Sequence, residues 1–593
     1  MTGRRARLLL AALVVASATS GCAGIPSSGA VHVVEVGSTP DIVPQLFSPP
    51  PPQPGATPVQ VVSGFLDAMQ AFPVSTDVAA QYLTTDAAGS WDPARRTVVY
   101  QAPRLSEEPG GVVDMTSLQS AQLSAQGAFR PVPQERSHAT LGWRLQRQDG
   151  QWRITNPPDA LYVDVAYFER YYQSYSLFYF DPSNQVLIPD PVYQPLGEQL
   201  ATTLVRALLA GPTPGTAPHL RTTVPSSARL DVAIPVDPAG VADVRLTGRL
   251  DSLSSTQREL MSAQLVSTLR QVTGVQGVRI LVNGQSLEVR GVTDVQDIHL
   301  WDVYNPTAGL VARQLYALVR GRIVLVDGVS VASVPGVLGR SAQDLRSISV
   351  QEATQRLVGV SSDGHRLLTG ALTPDSAKTL SPLYTAGTDL SAPLTSGAGS
   401  VWTVDRRRTG SRLVVVDDAA QAPMARVVAM GRLGGERVER FTVSSDGVRF
   451  VALVRPLRGH GPAHIEIGWV RYAADGVHVV GLSGISELAV SGQQFNDLLD
   501  VGWIDETTIG VLGRLGDAPV EVYSVSIDGS QLSGGQLSGD PLPGTFEAVS
   551  LTTSGLSGSP LYVSTGDGSL YSYQDGQWLR VGDAAVRSPA FAG

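Results

Sequence analysis

The chain has 593 residues, too many for one hydrophobic core, so about four segments are expected. Hydrophobic residues make up 43% and charged residues 16%, the balance of a folded protein, while 61 Gly and 40 Pro without a Gly-X-Y period exclude collagen. A net charge of −9 argues against a nucleic-acid partner bound through its phosphates, and the single cysteine, Cys22, excludes internal disulfides, cysteine-held zinc and iron–sulfur clusters.

Arg4, Arg5 and Arg7 precede a short apolar run, Leu8 to Ala16, and small residues then lead to Thr19-Ser20-Gly21-Cys22. This is the pattern of a signal peptide over residues 1–21, too short to span a membrane. The residues around Cys22 resemble a bacterial lipobox, although Thr19 stands where an aliphatic residue is usual. Cys22 is therefore expected to carry an S-diacylglycerol and an N-acyl chain; ordinary signal-peptide cleavage would leave a free thiol instead. Acyl chains contribute about 0.8 kcal/mol per buried methylene, enough to anchor the protein to a membrane. Residues 22–57, with Pro49-Pro50-Pro51-Pro52-Gln53-Pro54, read as a proline-rich tether.

From Val59 the pattern turns helical, with Val62, Phe65, Leu66 and Met69 on one face. A second helical stretch, Asp77 to Leu83, is followed by strand-like runs at Thr97–Tyr100, Gly111–Met115, Ser137–Gln146 and Gln151–Ile154, the last two joined by an Asp149-Gly150 turn. Helices followed by an antiparallel sheet predict an α+β cone over residues 58–170.

Residues 175–292 read as a second α+β unit. A helix from about Leu196 stops at Gly211-Pro212, Val241 to Leu246 is a strand, and Ser254-x-x-Gln257 is a capping box. It opens a helix carrying Met261, Leu265, Leu269 and Val272 on one side. Gly277 to Val282 and Ser286 to Arg290 form a hairpin around Asn283-Gly284.

Residues 310–592 change character, with short Val/Leu-rich strands between Asp-Gly turns. Asp327, Asp363, Asp405, Asp446, Asp528 and Asp567 recur at intervals of about 41 residues if one repeat is missed, the length of a four-stranded propeller blade. About seven blades are expected, with six or eight left open because the pattern fades near residue 487. The fold class is thus multidomain: two α+β domains followed by an all-β propeller.

Chemistry-bearing motifs are sparse. His460 and His464 have a metal-ligand spacing, but Gly459, Gly461 and Pro462 oppose the helix that would align them. Asp294, Asp297, His299 and Asp302 cluster without calcium-loop spacing, which favours interdomain hydrogen bonding. No nucleophile elbow, phosphate-binding loop, dinucleotide fingerprint or His-Glu-x-x-His occurs. No catalytic residue, metal or cofactor is expected, although a carboxylate pair meeting only in space would escape this reading.

The order of parts resembles the LpqB family of actinobacterial lipoproteins over essentially the whole chain. The resemblance rests on Val61-Val62-Ser63-Gly64-Phe65-Leu66-Asp67-Ala68-Met69, Tyr82-Leu83-Thr84, Gln151-Trp152-Arg153-Ile154-Thr155-Asn156-Pro157-Pro158-Asp159, Asp164 to Tyr171, Phe180-Asp181-Pro182 and Val186 to Tyr193. Residues 196–290 are similar to the GerMN domain, and the first unit to an NTF2-like cone. The resemblance implies a non-enzymatic lipoprotein anchored at the extracytoplasmic face of the cell membrane. It implies contact with the extracytoplasmic domain of an MtrB-type sensor histidine kinase, in a two-component system governing cell-wall growth and division. Tyr167, Glu169, Arg170 and Tyr171, within the densest family-like run, are the candidate partner surface. The alternative is a scaffold binding cell-wall polymer, or a peptidoglycan hydrolase using the propeller channel.

Overall fold

A computed structural model describes residues 46–593 except 134–135, 251, 309, 311–312, 375–379, 396–398, 418–422, 458–460, 474, 490–494, 531–546 and 575. The signal segment, Cys22, the tether to residue 45 and His460 lie outside the described residues.

The first unit opens with helix Pro58–Ala68. Thr57 and Gln60 cap each other reciprocally, and Pro58 occupies a first-turn position where no N–H is needed. Val61, Val62, Phe65 and Leu66 are buried against a sheet ordered Gln151–Ile154, His138–Gln148, Val112–Ser124, Arg96–Glu108, Leu161–Asp164, with Phe129–Pro131 beside Val112–Ser124. Phe65 packs 5.3 Å from Trp91 and 5.6 Å from Trp143, the largest fully buried side chain. A side chain at Gly64 would meet the Tyr82 ring at 2.6 Å, so glycine is what lets Tyr82 lie across the helix. The Tyr82 hydroxyl donates to the Pro50 carbonyl at 2.9 Å, and Gly55 N–H donates to Gln151 at 2.8 Å. The end of the expected tether, including much of the proline run, is therefore fastened to the domain rather than standing off it.

The second unit begins with hairpin strands Tyr172–Phe180 and Leu187–Pro195. Its sheet places Val241–Thr247 parallel to Gly277–Val282, a pairing that needs a crossover; helix Ser255–Leu269 supplies it. The expected Ser254/Gln257 capping box is present. The return strand after Asn283-Gly284 is shorter than expected, Gln285–Ser286. Residues 260 to 269 of the helix are all buried, because its second face packs on the open edge of the hairpin. There Thr268 accepts from Phe178 N–H at 3.2 Å, Gln264 donates to the Phe178 carbonyl at 3.0 Å, and Gln271 accepts from Ser176 N–H at 2.8 Å. Gln264 and Thr268, at i and i+4, share one helical stripe, Gln271 follows just past the helix end, and the three together stand in for a neighbouring strand.

The third unit is the propeller. Among the described residues it has six sheets, not seven. Its inner strands are Arg587–Phe591, Leu345–Gln351, Leu394–Thr395, Arg437–Val443, Phe495–Trp503 and Ala548–Thr552, for blades 1 to 6. Blade 1 is completed from both ends of the domain: Leu315–Val319 pairs with the C-terminal Arg587–Phe591. The count settles at six, the lower of the alternatives left open, and the spacing pointed to seven because the turn aspartates occupy unlike places. Asp446 follows an inner strand, Asp405 lies within a second strand, Asp363 and Asp567 separate second from third strands, and Asp528 follows a third. Their spacing measured coincident loops rather than a blade.

Candidate functional site

Of the candidate partner surface, Tyr167 and Tyr171 are core residues, 8% and 6% exposed. They belong to the short helix Val165–Tyr171, whose inner face closes the first core. Tyr167 packs tilted against Tyr171, ring centroids 4.6 Å apart, and donates its hydroxyl to the Ala71 carbonyl at 2.8 Å, and Tyr171 stacks on Phe72. Glu169 and Arg170 remain exposed on the same helix, with the guanidinium over the Tyr171 ring. A helix of seven residues with apolar aromatics at i and i+4 has to bury them; the sequence signal was core periodicity, not surface chemistry.

The Asp294–Asp302 cluster does not converge. Asp294 pairs with Arg279 at 2.9 Å, whereas Asp302 is shared by Arg270 at 3.0 Å and His299 at 3.1 Å. His464 faces the buried Glu466 at 3.2 Å, which Arg432 also holds. Among the described residues no group of three or more His, Cys, Asp or Glu side chains could hold a metal.

Sequence reasoning missed the meeting of the propeller with the α+β units. Arg449, at the start of the second strand of blade 4, donates to the Pro189 carbonyl at 3.1 Å and pairs with Asp446 at 3.1 Å, both side chains buried. It also lies over Trp469, on which His219 stacks at 4.9 Å. Tyr193 donates to Ser530 at 2.9 Å, and Thr307 to Glu506 at 2.6 Å. Asp190 is enclosed here, accepting from Thr216 at 3.3 Å. Burial pushes its carboxyl up to about 6 against the pull of Arg449 and the Thr216 hydroxyl, and Asp528 pushes in the same direction.

A cavity of 440 Å³ lies among the inner strands of all six blades. Near it, where the inner strands of blades 2 and 4 begin, four arginines share two carboxylates. Arg346 and Arg406 hold Asp389 at 2.7 and 3.0 Å, and Arg437 reaches it at 3.5 Å. Glu439 is held by Arg437 at 3.0 Å, Arg406 at 3.4 Å and Arg455 at 3.9 Å. Together Arg346 and Arg406 hold Asp389 below the usual carboxylate range despite its partial burial. Glu439 is the one side-chain carboxylate among the described residues lining the cavity, and it is paired with arginines. A two-carboxylate hydrolytic pair is therefore not assembled there by the described residues.

Comparison with known proteins accounts for all three units. Residues 51–169 match the family description "Lipoprotein LpqB, N-terminal domain", residues 176–288 "Sporulation and spore germination", and residues 317–592 "Lipoprotein LpqB beta-propeller domain". Lipoprotein LpqB of Cutibacterium acnes is 28% identical over 98% of this chain and 97% of its own. That of Streptomyces avermitilis is 28% identical over 98% and 97%, and that of Mycolicibacterium smegmatis 30% identical over 67% and 69%. No described helix is long and apolar enough to cross a membrane. With its N-terminal, germination-type and propeller segments matched in order, the chain belongs to the LpqB lipoprotein family.

Proposed function

We propose that this lipoprotein is a non-catalytic accessory of an MtrB-type sensor histidine kinase. In this reading Cys22 carries the lipid that anchors it at the extracytoplasmic face of the cell membrane, and the pathway is a two-component system governing cell-wall growth and division. The observation that carries the reading is the rigid display of Glu169 and Arg170. Their helix is pinned by two buried tyrosines, so docking there requires no ordering of the backbone. Anchoring on the membrane that also holds the kinase raises the effective concentration of one for the other.

The test titrates the full chain in detergent micelles against the kinase's extracytoplasmic domain. Exchanging the two charges, Glu169→Arg with Arg170→Glu, is expected to weaken binding about tenfold or more without shifting thermal unfolding. Unchanged affinity would place the contact elsewhere. In cells, Cys22→Ser is expected to release the protein from the membrane fraction or leave uncleaved precursor, and to abolish any effect on kinase output. A variant still recovered as mature acylated protein would overturn the anchor.

A further inference from the structure

We propose that the first α+β unit rests on the lipid bilayer through an apolar patch at the point where the chain enters it, formed by Leu46, Phe47, Pro73 and Val74. The proposal rests on the anchor part of the functional reading, the lipid on Cys22, and not on the kinase. Leu46 is 81% exposed, and Phe47 is the one aromatic among the exposed large hydrophobic side chains of the described residues; Pro73 and Val74 are exposed as well. The two segments are joined edge to edge. Phe47 and Phe72 exchange backbone hydrogen bonds of 3.0 and 2.9 Å in an antiparallel bridge. Antiparallel register sets Leu46 opposite Pro73, with Val74 next along. The support behind the bridge is firm: Phe72 stacks on Tyr171 at 4.6 Å, and the Tyr167 hydroxyl donates to the Ala71 carbonyl. Both segments are thus fixed at the surface, and their apolar area stays in water until another surface covers it.

The chain before the patch identifies that surface. Residues 23–45 alone separate Cys22 from Leu46. The strap that follows Leu46 is fastened to the domain by Tyr82 at Pro50 and by Gln151 at Gly55, so the tether leaves the domain at the patch and not at the first helix. Leu46 and Phe47 are the described residues nearest along the chain to the acylated end, where the bilayer is an apolar phase at high effective concentration. Charge separates apolar insertion from attraction to headgroups. Asp77 follows three residues after Val74, and Glu169 and Arg170 lie on the helix that backs Phe72; together they bring no positive excess to draw anionic lipid. Leucine and phenylalanine are instead the residue types that enter the boundary between headgroups and acyl chains. Val427, 62% exposed on the outer strand Met424–Val428 of blade 3, is apolar but remote from the anchor along the chain, and serves as the control.

The first arm of the test uses the acylated full-length protein, in which the lipid blocks the single native cysteine and leaves an introduced one free for labelling. Val74→Cys and the control Val427→Cys are labelled with nitrobenzoxadiazole and placed in phosphatidylcholine vesicles. Lipids brominated near the headgroup are expected to quench the probe at position 74 at least about twofold more than the probe at 427. The second arm floats the mature chain carrying Cys22→Ser with the same vesicles. Leu46→Ser is expected to weaken binding about threefold, and Leu46→Ser with Phe47→Ser about tenfold, with or without added phosphatidylglycerol. Leu46 is so exposed that its substitution should leave the unfolding temperature unchanged, which keeps the result readable if Phe47→Ser loosens the bridge. Protein that fails to enter vesicles in the first arm would overturn the anchor; the second arm needs no acyl group and tests the patch separately. Equal quenching at the two positions, vesicle binding unaffected by both variants, binding that requires phosphatidylglycerol, or a dimer in solution dissolved by Leu46→Ser would each overturn the proposal.

Discussion

The two ends of the propeller's inner strands are built on different electrostatic plans. Where the strands meet the α+β units, charges are few and enclosed: Arg449 with Asp446 at 4% and 1% side-chain exposure, and Asp190 beside them. Where the strands of blades 2 and 4 begin, charges are many and partly solvated, with Arg455 47% and Arg437 38% exposed. Enclosed charges that satisfy one another tolerate no loss of a partner, because the survivor stays buried and unpaired. Solvated networks tolerate substitution, because water and neighbouring guanidinium groups replace what is lost. The first end is suited to permanent assembly and the second to a contact that forms and dissolves.

The most severe way to break this contrast is to remove the seam on which both ends depend. Deleting residues 587–593 takes away the inner strand of blade 1 and exposes the edge of Leu315–Val319. Insoluble protein is expected, because an open ring presents unpaired strand edges; a soluble product with native circular dichroism would show that the ring does not need its last strand. Next in size, Arg449→Ala leaves Asp446 buried without its ion pair and should cost about 3–5 kcal/mol in chemical denaturation. A cost below about 1 kcal/mol, the range of a surface pair, would remove the distinction between the two ends.

Asp190 sharpens the comparison through pH. Its folded pKa, about 6, lies above the ordinary 3.8, so the folded state resists ionisation. Stability linked to this group is therefore greatest at low pH, falls as pH rises from about 4 to 6, and is flat above. Asp190→Asn mimics the protonated form and should exceed the native chain at pH 8 by on the order of 3 kcal/mol, a difference that vanishes near pH 4. A constant difference across that range would remove Asp190 as the cause. The smallest effect belongs to the solvated end: Arg455→Gln should change stability by less than about 1 kcal/mol, decreasing further in high salt.

What the sequence made legible was local. The Ser254/Gln257 capping box and the Asp149-Gly150 and Asn283-Gly284 turns each depend on residues a few positions apart, and each stands in the structure. At both turns the central residues have positive φ, 53° and 77° at the first and 48° and 82° at the second, as a two-residue type I′ hairpin requires. The helix face 260–269 was half read: its apolar stripe was visible, but Gln264 and Thr268 look like solvent-facing positions until the hairpin edge they serve is known. The blade count was legible only to within one blade, because Asp-Gly marks a turn without saying which turn. Arg449 and Pro189 meet across 260 positions, and nothing local distinguishes that arginine from the other cations of the chain. The cavity was equally hidden, since its wall takes a few residues from each of six strands.

Pairing the first blade with the last strand also imposes an order in time. A chain made from its N-terminus has the three strands of blade 1 that begin at Leu315 long before Arg587–Phe591 exists, so Leu315–Val319 waits with an unpaired edge while five further blades are laid down. The barrier to completing the domain is then the closure of its longest loop, a search that local contacts cannot shorten. Any factor that shields that edge during the wait, or any truncation that lengthens it without end, acts on yield rather than on the finished molecule.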